Sequence, residues 1–424
     1  MNKTQKILAG VLALCIVFFG FVIVRIGAKP ATVKAAAIPR GEYDPAVWGK
    51  AYPLQYQSYM KNYDMSESPT GYGGSVKVQK SDMQPELFIN FKGMPFSKDY
   101  TEDRGHMYAL EDIKDSKRVG PATKGACITC KTPYIEEFYN ESGWDYANKP
   151  FAELLERSKH PVTCANCHDS ETMNLRVINP AFIEAMQRRG VDVTQASREE
   201  MRTYVCAQCH AEYYFAPNTN QVVFPWDKGT KPEEMYAYYA EKPNGFVQDW
   251  QHPDSKAPML KAQHPDYETY SNGTHGKSGV SCADCHMPYM RENGQKYSSH
   301  WMTSPLKTID ASCSPCHSQG ADWAMERVKT MQDSSWKMQH TAGTTIARAH
   351  EAIKKSMDAD GDPAQLDQAR ELVRKAQWFW DIVAAENSMG FHNPDQVIST
   401  LGEANQLAYE AIDIAERAAG ITTY

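Results

Sequence analysis

Cys127-Ile128-Thr129-Cys130-Lys131, read as CITCK, is the stretch from which the rest of the chain can be understood. Four further stretches carry C-x-x-C-H, the signature of c-type haem attachment. They are CANCH (Cys164, Cys167, His168), CAQCH (Cys206, Cys209, His210), CADCH (Cys282, Cys285, His286) and CSPCH (Cys313, Cys316, His317). In that signature two thioethers fix the porphyrin and the histidine after them becomes an axial ligand of iron. CITCK keeps both cysteines and puts Lys131 where the histidine would stand. Of the 11 cysteines in the chain, only Cys15 falls outside these units.

Taken singly, a C-x-x-C pair also suits half of a zinc site or a thiol–disulfide couple. Four copies with histidine directly after the second cysteine argue against zinc, which has no need of that adjacency. Among four haem motifs, CITCK reads as a fifth, with an amine as iron ligand. A free lysine loses its proton only near a pH of about 10.4. Ligation therefore requires deprotonation, which burial against a metal cation favours.

The formal net charge is -7 over 424 residues, and haem propionates would add to it. An acidic surface follows, and nothing supports nucleic-acid binding. The length exceeds the usual single domain, but haems can act as core material and hold a longer chain together.

At the N-terminus Lys3 and Lys6 precede an apolar run over 7–24, long enough to cross a bilayer, with Arg25 and Lys29 after it. Residues 1–29 read as an uncleaved signal anchor or a cleaved signal peptide, with Ala35-Ala36-Ala37 as a distant cleavage site. Either way the body is exported, as thioether-bound haem also implies. The expected location is the periplasm, with a tether to the inner membrane if the segment is uncleaved.

Residues 30–100 are rich in Pro, Gly, Tyr and Ser and read as irregular wrapping with a few short helices. Residues 101–318 carry the five motifs and read as a compact pentahaem core of short helices and loops, with little β-structure. Tyrosine clusters such as Tyr236, Tyr238 and Tyr239 are expected to pack on haem. From 319 to 424 the motifs stop and long helical periodicity begins. Leu366, Ala369, Val373, Ala376, Trp380 and Val383 step by three and four, as do Val397, Leu401, Ala404, Ala408, Ala411 and Ala415. Pro363 and Pro394 suit the first turns of helices. Such stripes serve an intramolecular bundle or a dimer interface equally well. The fold class expected is mainly α, a multihaem cytochrome c with long C-terminal helices.

A haem with two strong protein ligands relays electrons, whereas an open iron position admits a substrate. Beyond the four motif histidines, the other nine are His106, His160, His252, His264, His275, His300, His340, His350 and His392. Four bis-histidine relays would use four of them, and spacing does not say which. CITCK is the candidate for the open haem.

From about residue 85 onward the sequence resembles the pentahaem cytochrome c nitrite reductases, the ammonia-forming enzymes. The resemblance lies in Phe96-Ser97-Lys98-Asp99-Tyr100, Arg104-Gly105-His106, CITCK, CAQCHAEYYF, Lys261-Ala262-Gln263-His264-Pro265, Gly273-Thr274-His275-Gly276, CADCHMP and Phe391-His392-Asn393-Pro394. It implies five covalent haems c, with Lys131 as proximal ligand of the catalytic one. Arg118, Tyr213 and His264 match the family's distal trio around nitrite. Arg104 is the competing arginine, but Arg118 keeps the family's spacing from Arg104-Gly105-His106. His106, His275, His300 and His392 match the distal ligands of the relays. Glu212, Tyr213, Lys261 and Gln263 match a site for one Ca²⁺, a hard cation suited to carboxylate, carbonyl and amide oxygens.

The activity so implied is six-electron reduction of nitrite to ammonium. The implied partners are a membrane-bound multihaem quinol dehydrogenase as donor and a second copy in a homodimer. The alternatives are a non-catalytic electron-transfer cytochrome, or a related reductase of hydroxylamine or sulfite.

Overall fold

Three long helices close the chain, Ala321–Asp358, Pro363–Ala385 and Pro394–Ala418. The first is 38 residues long, about 57 Å at the rise of an α-helix. The starts of the other two are written in the sequence. Asp362 accepts a hydrogen bond from the Gln365 amide and Asn393 from the Gln396 amide, with Pro363 and Pro394 at the first helical positions. These features belong to a computed structural model that describes residues 37–420. The run over 7–24 and Cys15 lie outside the described residues. Among the described residues no helix is long and apolar enough to cross a membrane.

Both periodic stripes are buried within the single chain. Ala369, Val373, Ala376 and Trp380 on the second helix, and Leu401, Ala404, Ala408, Ala411 and Ala415 on the third, have no exposed surface. These two helices share the most extensive interhelical packing of the fold, and the first lies against both. Small alanines let the backbones approach closely. The stripes therefore serve an intramolecular bundle; a seam between copies would have to use other residues.

The bundle is tied to the rest of the chain by buried polar side chains. The Trp380 indole donates to the Gln339 carbonyl at 2.9 Å, the Trp378 indole to the Pro232 carbonyl at 3.0 Å, and the Gln377 amide to the Asn90 carbonyl at 2.8 Å. Ahead of the bundle the helices are short. Among the described residues strands occur as four two-stranded antiparallel pairs: Val78–Gln79 with Thr101–Glu102, Tyr214–Phe215 with Val222–Val223, Trp250–Gln251 with Pro258–Met259, and Tyr289–Glu292 with Gln295–Ser298. None of these pairs extends into a larger sheet.

The tyrosine cluster departs from expectation. Tyr236, Tyr238 and Tyr239 pack on protein, against Phe379, Tyr214 and Trp378 respectively. The sequence pointed to packing on haem; instead Tyr238 and Tyr239 are buried, and Tyr236 half-buried, among protein side chains. Tyr239 turns its hydroxyl to Glu212 Oε1 at 3.3 Å.

Candidate active site

One continuous cavity of about 2310 Å³ runs through the molecule, larger than the roughly 300–1,000 Å³ of an ordinary ligand pocket. All five C-x-x-C motifs line it, together with His106, His264, His275, His300 and His392. The other four histidines do not. His252 and His350 stack on each other in the protein core, His340 meets Glu86, and His160 lies against Tyr134.

The cavity sorts the rings into pairs. His106 and His210 have ring centres 6.1 Å apart, His168 and His300 6.2 Å, His275 and His317 6.1 Å, and His286 and His392 6.3 Å. Imidazole nitrogens bind first-row metals at about 2.0–2.1 Å. Two of them on opposite sides of one ion are then about 4 Å apart, with the ring centres a ring's width further. The observed spacings fit an iron between the members of each pair. Each pair joins one motif histidine to one distant in sequence, which local spacing could not show.

The motifs also lie close to one another. The Cys130 and Cys209 side chains lie beside each other, as do those of Cys206 and Cys282. The His106/His210 pair thus stands beside the lysine motif, and the His286/His392 pair stands beside that.

CITCK differs from its sister motifs in its backbone as well as in its last residue. The amides of His168, His210 and His317 bond back to the first cysteine of their motifs, one α-helical turn away. The Lys131 amide instead bonds to the Ile128 carbonyl at 3.0 Å, following a 3-10 stretch over Gly125–Ile128. Thr129 supports this tighter winding by donating its hydroxyl to the Ala126 carbonyl at 2.7 Å. Gly125 is required here, because a Cβ would come within 2.4 Å of the Tyr146 carbonyl oxygen. The motif is held to its neighbours too closely for any side chain at that position.

Around Lys131 the structure brings together residues scattered in sequence. Its amine lies 3.4 Å from Asp103 Oδ2. Burial would raise the Asp103 carboxyl, but the charge and hydrogen bond of Lys131 and the charge of Arg118 hold it below the usual carboxylate range. Arg118 also acts, through its positive charge, on the Tyr213 phenol and the Cys127 thiol. Its Nε donates to Ser116 Oγ at 3.0 Å. The competing Arg104 is bound elsewhere, with Nε on Asp112 Oδ1 at 2.8 Å and its face on Tyr108. Burial lowers the His264 imidazole, keeping it neutral, and its Nδ1 finds no partner in the protein. Burial raises the Tyr213 phenol, so it keeps its proton. Asp103 escaped the sequence reading because a lone acid carries no pattern.

The residues matched to calcium also meet. Glu212 is wholly buried, and its Oε2 accepts the Gln263 amide at 2.5 Å. The Gln263 side chain reaches the Lys261 carbonyl at 3.3 Å. Burial pushes the Glu212 carboxyl well above its ordinary range. The Lys261 amine is not available to neutralise it, because that amine is clasped by both oxygens of Asp381 at 2.9 Å. A buried carboxylate next to a carbonyl and an amide oxygen fits a hard cation.

The chain is similar to several known proteins. The cytochrome c552 family matches residues 44–423. The chain belongs to that family. A cytochrome c-552 of Parabacteroides distasonis is 42% identical over 85% of this chain and 74% of its own length. The cytochrome c nitrite reductase subunit NrfA of Nitratidesulfovibrio vulgaris is 41% identical over 87% of this chain and 77% of its own. Among solved structures, the cytochrome c nitrite reductase of Desulfovibrio desulfuricans superposes with a TM-score of 0.85 at 38% identity, over 89% of this chain and 87% of that one. Its catalytic subunit carries two calcium sites. As expected for this cytochrome c552 family, the fold is mainly α with little strand.

Proposed function

We propose that this cytochrome c552 reduces nitrite to ammonium at a haem c bound by Cys127 and Cys130, with Lys131 as its protein ligand. The pairs His106/His210, His168/His300, His275/His317 and His286/His392 would hold four further haems, which would supply electron relay. The observation that carries this reading is the sorting of the cavity histidines. Four pair with motif histidines at metal-bridging distance, while His264, whose ring centre also lies 6.0 Å from that of His210, stands with Arg118 around Asp103 beside the lysine motif. The similarity to two cytochrome c nitrite reductases supports it.

When bound, the haem supplies an open iron position for nitrite and delivers the six electrons that take nitrogen from +3 to −3. The chain supplies the rest. Arg118 offsets the negative charge of nitrite inside a cavity where water screens it poorly. His264, neutral and buried, holds a hydrogen bond to the substrate and passes protons to it as N–O bonds break. Tyr213, still protonated, donates from the side. Lys131 must give up both its proton and its contact with Asp103 to become a ligand.

Calcium would take the Glu212 carboxylate, the carbonyls of Tyr213 and Lys261 and the Gln263 amide oxygen. It would hold the segment leading to His264 in place. The same reading assigns a periplasmic location, a membrane-bound multihaem quinol dehydrogenase as donor, and a homodimer.

The test is nitrite-dependent oxidation of a reduced viologen by the purified holoprotein, with ammonium assayed as product. Six electrons consumed and one ammonium formed per nitrite support the reading. A holoprotein that takes up electrons but never passes them to nitrite would be an electron-transfer cytochrome. Turnover confined to hydroxylamine or sulfite would assign it to a related reductase.

A further inference from the structure

The histidine pairs differ in what faces the ring nitrogen turned away from the metal. With Nε2 on iron, Nδ1 is left to the protein. His168 Nδ1 faces the Met173 carbonyl at 3.0 Å and its partner His300 faces the Ser298 carbonyl at 2.9 Å. Both acceptors are neutral. The other two pairs with known outer partners are not so balanced. His210 Nδ1 lies 2.8 Å from Asp266 Oδ2, while its partner His106 meets only the Met302 sulfur at 3.1 Å. His392 Nδ1 lies 2.5 Å from Glu386 Oε1, off the line of its N–H but at ion-pair distance, while its partner His286 faces the Thr303 carbonyl at 2.9 Å.

Both carboxylates are shielded and fixed. Their side chains are 9% and 0% exposed. Asp266 accepts the Asn387 amide at 2.7 Å and its side-chain amide at 2.9 Å. Glu386 accepts the Ser388 amide and hydroxyl, each at 2.9 Å. One short segment after the Pro363–Ala385 helix therefore places both anions. It places them on the His106/His210 pair, which stands beside the lysine motif, and on the His286/His392 pair.

An anion accepting the Nδ1 proton draws that proton away from the ring, and the imidazole becomes a stronger donor to iron. Stronger donation favours the ferric over the ferrous state, and a poorly screened negative charge acts in the same direction. We propose that Asp266 and Glu386 lower the reduction potentials of the His106/His210 and His286/His392 haems, below that of the carbonyl-backed His168/His300 haem. They are positioning residues, acting through His210 and His392. The consequence is a pair of strongly reducing centres, one of them held beside the site that must receive six electrons. The inference rests on the five-haem reading of the chain.

The experiment is a spectroscopic redox titration of the holoprotein and of Asp266→Asn and Glu386→Gln variants, with each haem assigned by its paramagnetic resonance. Turnover is a poor readout, because an Asp266 oxygen also lies within 4.8 Å of a His264 ring nitrogen. Glu386→Gln is expected to raise the His392 haem, Asp266→Asn to raise the His210 haem most and the His392 haem less, since Asp266 also lies within 4.8 Å of a His392 nitrogen, and both to leave the His168/His300 haem unmoved. Asp266→Glu should restore part of the shift. Unmoved potentials in variants carrying all five haems would overturn the proposal. If Asp266→Asn does not fold, Asn387→Ala serves instead. It removes a donor that competes for Asp266, so the His210 haem should shift downward, and no shift overturns the proposal equally. Failure of the nitrite reading is seen separately, as wild-type haems that nitrite does not reoxidise.

Discussion

The guanidinium of Arg118 sits 4.4 Å from the centre of the Phe96 ring. The same ring walls the Lys261 ammonium at 4.9 Å, so one aromatic face steadies a cation of the nitrite pocket and another of the proposed calcium loop. A cation over an aromatic face contributes about 0.5–1 kcal/mol at partly wet sites. Phe96→Leu keeps an apolar side chain without the π face. Steady-state kinetics on nitrite should show kcat/KM reduced about two- to fivefold, a factor that follows from that energy. Unchanged kinetics would mean that Ser116 alone fixes the arginine.

The two candidate arginines separate by what they hold. Arg118→Gln removes a positive charge from the substrate cavity and should cost about a hundredfold in kcat/KM, the scale of losing one preorganised donor. Arg104→Gln leaves Asp112, whose side chain is 2% exposed, without its ion-pair partner. It should lower the unfolding midpoint and leave nitrite kinetics within a few fold. The reverse pattern, measured on matched haem-loaded variants, would exchange their roles.

Acid should weaken the fold at a place remote from the cavity. His252 and His350 stack with centres 3.8 Å apart, both without exposed surface. His350 bonds to Ser255 Oγ and Gln377 Oε1, and His252 to the Ile89 carbonyl. Burial, with His252 beside it, pushes His350 down to about 3, and burial lowers His252 as well. An unfolded histidine titrates near about 6.5, so the unfolded state binds more protons below that pH. This contribution to stability is complete above pH 6.5 and is lost as pH falls toward 3. The thermal midpoint should drop between pH 7 and 4, and less steeply in His350→Gln. Equal slopes would assign the acid sensitivity elsewhere.

The helical stripes predict a contrast between neighbours. Ala408 has no exposed surface, whereas Tyr409 is 49% exposed. Ala408→Leu overpacks the seam between the second and third long helices and should cost about 1–3 kcal/mol. Tyr409→Ser should change stability by less than about 0.5 kcal/mol. Calorimetry reads the first. Sedimentation should show that Ala408→Leu leaves the assembly state unaltered, because the seam is internal. A change of assembly state would return the stripe to an interface between copies.

The haem motifs were legible because covalent attachment forces cysteines and ligand into one short run. Helix starts at Pro363 and Pro394 were legible because capping is local. The four outer histidines were matched only through the family resemblance. Their partners lie up to 132 residues away, as His300 does from His168, and no periodicity spans such a distance. Tyr236, Tyr238 and Tyr239 were expected on haem and pack on protein, since an aromatic ring suits either surface. Asp103, Asp266 and Glu386 left no trace in the sequence, because a single acid gains its meaning only from what the fold sets beside it.

The central claim is that Lys131 makes its haem the reactive one. The direct measurement is steady-state nitrite reduction by Lys131→His, whose haem content has been checked by intact mass and whose relay spectrum is normal. Imidazole would turn CITCK into a fifth ordinary motif and move the iron relative to Arg118 and His264. A displacement of about an ångström in a reacting centre costs on the order of a hundredfold. The account predicts five haems, intact relays and nitrite turnover lower by at least that factor. Wild-type turnover in the fully loaded variant would contradict it.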